Sequence, residues 1–549
     1  MSLFTARLQG TQEEMGAQHG AVVADEARRL LGFYTTMPER AIAGGEGPIG
    51  RLAIKGIATA MQARLGRSRP AELLARSRAF GKAAGLPMTQ GLLALATMDS
   101  LQNTVALAAR MQLGPFTQAT MLRAAVPACS TIIAWGDATD DGELIFARNF
   151  DFPGVGVWDA SPAFIVNAET GGQRYGFFAT KGADTAVVTV VNEAGLVIAP
   201  HTRWHRDVTF GGAMIIDVIH QIARKAETLE DAIAIARSMP ASSSWGVAIG
   251  SAREKSACVL ELAGPHIEVV RPVQRGTAGS ASTLVCTNHY RSRLTAAEIR
   301  GSRAWAIHSE RRAKRLEVLA DASLAAGKPL RMEDLARFLG DRVDPMTTEP
   351  RAMGAILAQA INVHAAVIKP ASCRALVGID AAPSCEGTWA DLAWSWNGAP
   401  ETWTVRERDD VAAPQTAAVR ALHEAARAYE GSHDVPAARS AIERAVAAAP
   451  TDPSLRLSAL WLALESKAPE HAVVHARVGL QHERDAYRRG QLLLWGSRAA
   501  RRVDSAQSRT WLAELDAMPG ADGVDELQAA AKRRWRGGVH LNLMMADAY

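Results

Sequence analysis

Val126-Pro127-Ala128-Cys129-Ser130-Thr131-Ile132-Ile133-Ala134-Trp135-Gly136 is the stretch at which the chain changes character. Before it, residues 12–125 are rich in Ala, Leu, Met and Arg and read as helix after helix, with Met15, His19, Val22, Val23 and Ala27 at helical spacing. Gly44-Gly45-Glu46-Gly47-Pro48 and Gly85-Leu86-Pro87 punctuate that region. After it, short runs at 130–135, 143–148, 163–167, 175–180, 186–192 and 196–199 read as strands. Asp140-Asp141-Gly142 and Thr170-Gly171-Gly172 fall between them, as hairpins require.

Further out, residues 211–237 return to helix, with Ile215, Val218, Ile219 and Ile222 on one face. Strands are expected again at 245–250, 257–261 and 266–270, then helices over 295–340, then strands near 362–368 and 373–379. Strand clusters followed by helices predict α+β layers rather than alternating βαβ units. Beyond Arg406, with Pro414 marking a linker, the chain is Ala/Arg/Leu-rich helix. Residues 437–449 followed by Pro450-Thr451-Asp452-Pro453 resemble the end of a tetratricopeptide-type hairpin, and a similar helix starts near Ala472. That step falls somewhat short of the ~34 residues of such repeats, so an unrelated helical cap is the competing reading. Three segments are therefore expected: 1–128, 129–406 and 407–549.

Composition narrows the function classes. The chain has 549 residues, 48% of them hydrophobic and 21% charged, which fits a folded protein and excludes disorder or a fibrous repeat as its theme. A net charge of +4 is too small at this length to suggest nucleic-acid binding. Five scattered cysteines, none in a Cys-x-x-Cys pair, make neither a disulfide framework nor a structural zinc site. His201 and His205 follow Pro200 in a loop, not on one helix face, so no metal is expected there, and no cofactor motif is visible. With neither a signal peptide nor a membrane span in view, a cytoplasmic location is expected. The arginines around Arg488, Arg489, Arg498, Arg501 and Arg502 read as a solvated helix face, with contact to a partner as the alternative.

Chemistry concentrates around Cys129. It heads a predicted strand, and the next strand ends in Arg148-Asn149-Phe150-Asp151. In a hairpin the end of the second strand returns to the start of the first, so the thiol can meet a cation and a carboxylate. A cysteine at a strand start is also compatible with plain core, and Arg148 with a structural ion pair.

The segment Cys129 to Phe152 resembles the nucleophile region of N-terminal-nucleophile (Ntn) cysteine hydrolases. The nearest resemblance is to the acyl-coenzyme A:isopenicillin N acyltransferase-like family, with choloylglycine hydrolases and acid ceramidase more distant. Other pieces follow in the family order: Gly10, Glu14, Gly16 and Gly20; Asn192-Glu193-Ala194-Gly195-Leu196; Leu229-Glu230-Asp231-Ala232-Ile233; Glu261; and Thr287-Asn288-His289-Tyr290. The resemblance spans roughly residues 8–395 and leaves the C-terminal helices outside.

The resemblance implies a four-layer αββα sandwich with a helical propeptide over 1–128; the all-α C-terminal module is expected from the helical texture beyond Arg406 alone. The resemblance also implies self-cleavage at Ala128–Cys129, after which the new α-amine serves as the base for its own thiol; such amines ordinarily titrate at about 7.7–8.0. Arg148 and Asp151 would orient amine and thiol, and the oxyanion site would be formed by Asn192, through its backbone N–H or side-chain amide, and by the side-chain amide of Asn288. Read from their own contexts, Asn192 is equally a turn residue, and Asn288 a cap for a helix starting near Arg291. Two departures stand out: Ala128 replaces the family's usual Gly, and His201 stands where many relatives have Asn. The expected substrate is a small N-acyl compound cleaved or transferred at its amide bond, with acyl-coenzyme A a candidate donor. A catalytically degenerate scaffold, with the C-terminal helices binding a protein partner, is the alternative. A thiol hydrolase pairing Cys129 with His289 or His201, without processing, is the third.

Overall fold

The structure is a computed structural model describing residues 2–42, 48–87, 95–110, 128–209, 211–273, 281–299, 303–398, 401–407, 413–520, 523–533 and 542–548. The expected glycine-rich break at 44–47, and the end of the expected helical stretch and its junction over 111–127, lie outside these.

Two sheets form the centre. The first has eight strands: β1 (Phe4–Gly10), β4 (Pro162–Glu169), β5 (Tyr175–Thr180), β6 (Thr189–Asn192), β7 (Leu196–Thr202), β8 (Ser244–Ser251), β9 (Ser256–Ala263) and β10 (His266–Val270), in that spatial order. The second runs β11 (Thr283–Cys286), β2 (Ser130–Ala134), β3 (Ile145–Asp151), β12 (Asn362–Lys369), β13 (Arg374–Gly378), β14 (Trp389–Ala393) and β15 (Thr402–Arg406). Alternation sends Ile133, Phe146, Phe178, Val197, Ala248 and Val377 into the space between the sheets. The opposite residues face outward under helices. Ile165, Phe177 and Ile198 lie under α6 (Ile215–Lys225) and α7 (Leu229–Ser238). Ile132, Ala147 and Val367 lie under α8 (Arg303–Ala325) and α9 (Met332–Leu339). The result is the expected four-layer αββα sandwich.

The N-terminal segment is not purely helical. Before α1 (Gln12–Val22), α2 (Ala24–Ile42), α3 (Pro48–Arg67), α4 (Ala71–Ala83) and α5 (Thr97–Arg110), it contributes β1, paired in parallel with β4 from Phe4↔Ala163 to Gly10↔Glu169. Strand β1 escaped the sequence reading because its run, FTARLQG, carries charge and ends in Gly10 at φ +114°. The Gly10/Glu14/Gly16/Gly20 pattern now has local causes. Glu14 completes a capping box with Thr11. A Cβ on Gly16 or Gly20 would stand 2.3 Å from the Arg76 or Phe80 carbonyl oxygen, so α1 lies against α4 only with glycine at both.

The C-terminal region is helical: α10 (Ala413–Ser432), α11 (Val435–Ala448), α12 (Pro453–Glu465), α13 (Pro469–His482), α14 (Ala486–Ala500), α15 (Ser505–Ala517) and α16 (Val524–Ala531). Each of the first six packs on its neighbour in turn. Separateness stops there. Leu422, Ile442 and Leu460 share one buried core with Ala128, Trp204, Met353 and Ile361.

The expectation of a solvated arginine face is corrected at Arg488, which is 4% exposed. It pairs with Asp344 at 2.6 Å and Glu483 at 3.1 Å, while Arg351 reaches Glu483 at 3.0 Å and Arg311 reaches Asp485 at 2.5 Å. Arg488 thus belongs to an ionic joint between these helices and the sandwich, whereas Arg501 and Arg502 are exposed, as expected.

Candidate active site

Cys129 immediately precedes β2 and is 1% exposed. The β2–β3 hairpin sets Thr131 opposite Arg148 and Ser130 opposite Asn149, and the Ala128 N–H donates to the Asp151 carbonyl at 3.0 Å. The expected juxtaposition is therefore present. Arg148 Nη2 lies 3.6 Å from Cys129 Sγ, and its guanidinium also donates to the Val188 and Pro200 carbonyls at 2.6 Å each. Those bonds fix the cation against the facing sheet. Burial pushes the Cys129 thiol up in pKa; Arg148 pulls it down and Asp151 pushes it up again.

Asp151 ends β3. Its Oδ1 accepts from Asn362 Nδ2 at 2.8 Å, and its Oδ2 finds no donor among the described residues. Burial raises this carboxyl to about 7, against the pull of Arg312, Asn362 and Arg148.

Arg312, on α8, was missed by the sequence reading. Its Nη1 donates to the carbonyls of Ala128 at 2.7 Å and Cys129 at 2.8 Å and to Ser130 Oγ at 2.7 Å. Its Nη2 donates to Asn288 Oδ1 at 2.8 Å, and burial lowers its pKa to about 10. Asn362, the Asp151 donor, was missed as well.

Asn288 is fully buried, donating from Nδ2 to the Thr202 carbonyl at 3.1 Å and from its backbone N–H to Ser309 Oγ at 2.8 Å. It does not act as a helix cap: Ser292 caps the short helix at Arg293–Ala297. Through Arg312 and Thr202 it joins the Cys129 cluster. Glu261 supports the same loop by accepting the Arg291 and Ser292 N–H groups and pairing with Arg203.

The side chain of Asn192, expected at the oxyanion site, is engaged at the β6–β7 turn. Its amide donates to the Ala223 and Ala226 carbonyls at 3.3 and 2.8 Å, and its Oδ1 accepts from Leu196 N–H at 2.9 Å. It lies four residues along the chain from Val188, where Arg148 is anchored, or ~13 Å of extended strand. The Asn-Glu-Ala-Gly-Leu turn, with Gly195 at φ +88°, ties β6 and β7 to the end of α6.

Neither histidine replaces the missing base. His201 sits on β7 with Nδ1 3.3 Å from the Ala199 carbonyl, and burial with Arg148, Arg203 and Arg312 drives its pKa well below the usual range. His289 Nδ1 meets Thr287 Oγ1 at 3.1 Å and Ser309 Oγ at 2.9 Å.

Cys129 opens on a cavity of about 1160 Å³, its open mouth included. Leu30, Tyr34 and Phe80 from the N-terminal segment and Trp158, Val188 and Trp245 from the sandwich line it. Such a wall takes an apolar group. Among the described residues no cluster of three or more His, Cys, Asp or Glu could hold a metal ion, and no helix is long and apolar enough to cross a membrane.

A buried thiol thus stands at the head of β2 in an αββα sandwich and lines an apolar cavity. Residues 138–376 match the family described as acyl-coenzyme A:6-aminopenicillanic acid acyl-transferase. The matched span begins downstream of Cys129, so the place of that residue rests on the geometry above. No curated protein sequence matches the chain. Among solved structures it is similar to a Caenorhabditis elegans N-acylethanolamine-hydrolyzing acid amidase (NAAA) ortholog at 13% identity, over 44% of this chain and 93% of that one. The TM-score is 0.31, and nothing below is built on that likeness.

Proposed function

We propose that the chain is a self-processing cysteine enzyme that cleaves or transfers an acyl group at an amide bond, with Cys129 as nucleophile. The observation that carries this reading is the grip of Arg312 on the Ala128 carbonyl, next to a thiol that borders an apolar cavity. In processing, Cys129 Sγ adds to the Ala128 carbonyl carbon while Arg312 takes up charge on the oxygen. The Ala128–Cys129 C–N bond then breaks, nitrogen takes the thiol proton, and a thioester remains. Water hydrolyses the thioester, leaving a carboxylate on Ala128 and a free amine on Cys129.

In turnover the same thiol attacks the substrate carbonyl, and its proton passes to the α-amine, which delivers it to the leaving nitrogen. Asn288 and Arg312, joined by a hydrogen bond at 2.8 Å, are the donors assigned to the developing oxyanion; groups so placed are worth ~2.7–4 kcal/mol each in acyl transfer. Asp151 holds the ammonium form of the amine, and Arg148 favours the thiolate. Water at the acyl-enzyme gives hydrolysis and a bound amine gives transfer; acyl-coenzyme A is the candidate donor for the second.

Intact-mass measurement of purified protein, with N-terminal sequencing of the larger fragment, tests the reading. A fragment beginning at Cys129 supports it. One unbroken chain after prolonged incubation overturns self-processing and favours a scaffold.

A further inference from the structure

Arg312 is held at all three of its nitrogens. Nη1 reaches the Ala128, Cys129 and Ser130 oxygens and Nη2 reaches Asn288, while the remaining donor, Nε–H, is given to His308 Nδ1 at 3.3 Å. His308 stands four residues earlier on α8, on the same face, and is 4% exposed. Its other ring nitrogen, Nε2, is 2.9 Å from the Gly354 carbonyl oxygen. A carbonyl only accepts and a guanidinium only donates, so the two contacts together fix the ring. The proton is on Nε2, Nδ1 is a bare acceptor, and the imidazole is neutral. Burial and then Arg312 press the pKa of His308 the same way, well below its usual range.

The neutrality of this acceptor matters. A carboxylate facing Nε would grip the guanidinium harder, but it would also neutralise the charge on which the Ala128 oxygen is to draw. An imidazole without charge orients the fork and leaves the cation intact. Its own anchor is well fixed. Gly354 stands at φ +130°, in backbone that favours glycine, and its carbonyl also accepts from Gln359 Nε2 at 2.9 Å. Just before it, the Ala352 N–H donates to Asp452 Oδ2 at 2.6 Å, and Arg351 pairs with Glu483 at 3.0 Å. Asp452 caps α12, so the segment that holds His308 is itself bonded to the C-terminal helices.

We propose that His308 is a positioning residue for self-processing: from its anchor at Gly354 it locks the Arg312 guanidinium onto the Ala128 carbonyl while leaving the guanidinium charge free for the developing oxyanion. The inference rests on the reading of Ala128–Cys129 as the scissile bond, and it adds a residue that touches neither reacting atom. His308 takes up no proton and supplies none; it acts through Arg312 alone.

The test is timed gel electrophoresis of full-length chain made by cell-free translation, followed until the fragment beginning at Cys129 appears. His308→Leu should slow cleavage ~10–100-fold, the worth of one hydrogen bond to a charged group. His308→Gln should bring it back to within a few-fold of wild type, because an amide can both donate to Gly354 and accept from Arg312. In the Arg312→Met background, His308→Leu should add no further slowing. Wild-type cleavage in His308→Leu, His308→Gln as slow as His308→Leu, or the full slowing repeated without Arg312 would each overturn the assignment. Should His308→Leu not fold, nitrogen NMR of ring-labelled histidine in Cys129→Ala protein decides alone. At neutral pH the signals that vanish in His308→Gln should show a protonated Nε2 and a bare Nδ1, and Arg312→Met should shift the Nδ1 signal. A protonated Nδ1, or an Nδ1 signal indifferent to Arg312, overturns the assignment. That readout needs no cleavage. A wild-type chain that never cuts would strike the processing reading and leave the bond between His308 and Arg312 measurable, whereas cleavage indifferent to His308 would strike the positioning role alone.

Discussion

The Arg312 guanidinium donates to the Ala128 carbonyl oxygen at 2.7 Å, so a cation already holds the proposed scissile bond in the uncut chain. Attack by a thiol places negative charge on that oxygen, and a preformed donor there lowers the barrier without rearrangement. Arg312→Met should slow appearance of the fragment beginning at Cys129 by ~10²–10³-fold. Timed gel electrophoresis checks this, with thermal unfolding as the control for folding. Wild-type processing in a folded variant would remove Arg312 from the reaction.

Cys129→Ala should leave one chain of 58.6 kDa and no acyl-amide turnover. Intact mass decides it: a variant still cut between residues 128 and 129 ends the nucleophile assignment.

The two asparagines should part company. Asn288→Ala should lower kcat by ~10²–10³-fold with the fold retained, as loss of an oxyanion donor does. Asn192→Ala should leave kcat within a few-fold of wild type and cost ~1–3 kcal/mol in chemical unfolding, because it orphans the Leu196 N–H and two carbonyls at the end of α6. Reversed effects would restore Asn192 to the site.

That contrast shows where sequence reading works and where it stops. Cys129, Arg148 and Asp151 were legible because hairpin geometry alone brings them together. Asn192 and Asn288 both stand in a motif, yet only tertiary contacts separate a turn residue from a member of the Cys129 cluster. Arg312 was invisible among Arg311, Arg312 and Arg315 on an amphipathic helix, where a buried arginine and two that pair nearer the surface have the same letter. Strands β14 and β15 went unread for a related reason: Asp391 on β14 pairs with Arg374 on β13 and Arg406 on β15, and these charges break the apolar pattern. The capping box of Thr228 and Asp231, by contrast, turns the Leu229–Ile233 motif into an ordinary helix start.

Asp151 sets a pH dependence on the uncut chain. Its folded value, about 7, lies above the ordinary 3.8, so between these values the native state holds more protons than the unfolded one. Its favourable contribution is complete below about pH 4 and is lost as pH rises through about 7. The melting temperature of Cys129→Ala, measured against Cys129→Ala/Asp151→Asn, should therefore fall from pH 4 to pH 8. Parallel curves would mean that Asp151 does not titrate in that range.

The ionic joint makes a different prediction from the one that sequence texture suggests. A module separable near Pro414 would leave processing intact, but Arg488→Ala strips Asp344 and Glu483 of a buried partner. Breaking such a pair typically costs ~3–5 kcal/mol, and Arg311, next to Arg312 on α8, is tied to the same cluster. Denaturant unfolding should register that loss, and truncation after residue 407 should give insoluble or unprocessed protein. A soluble, self-cleaving truncation would show the two regions to be independent.

Strand β1 has an outcome of its own. It is stitched along its whole length to β4, and α2 and α4 help close the cavity. Under the proposed scission these elements become a second polypeptide that no covalent bond retains. The uncut chain folds as a unimolecular event, whereas the cut molecule, once denatured, has to find its other half again at a rate set by concentration. Assembly of this enzyme would then show hysteresis: a single peptide bond acts as an internal chaperone for the first folding and is consumed in the act that makes the product competent.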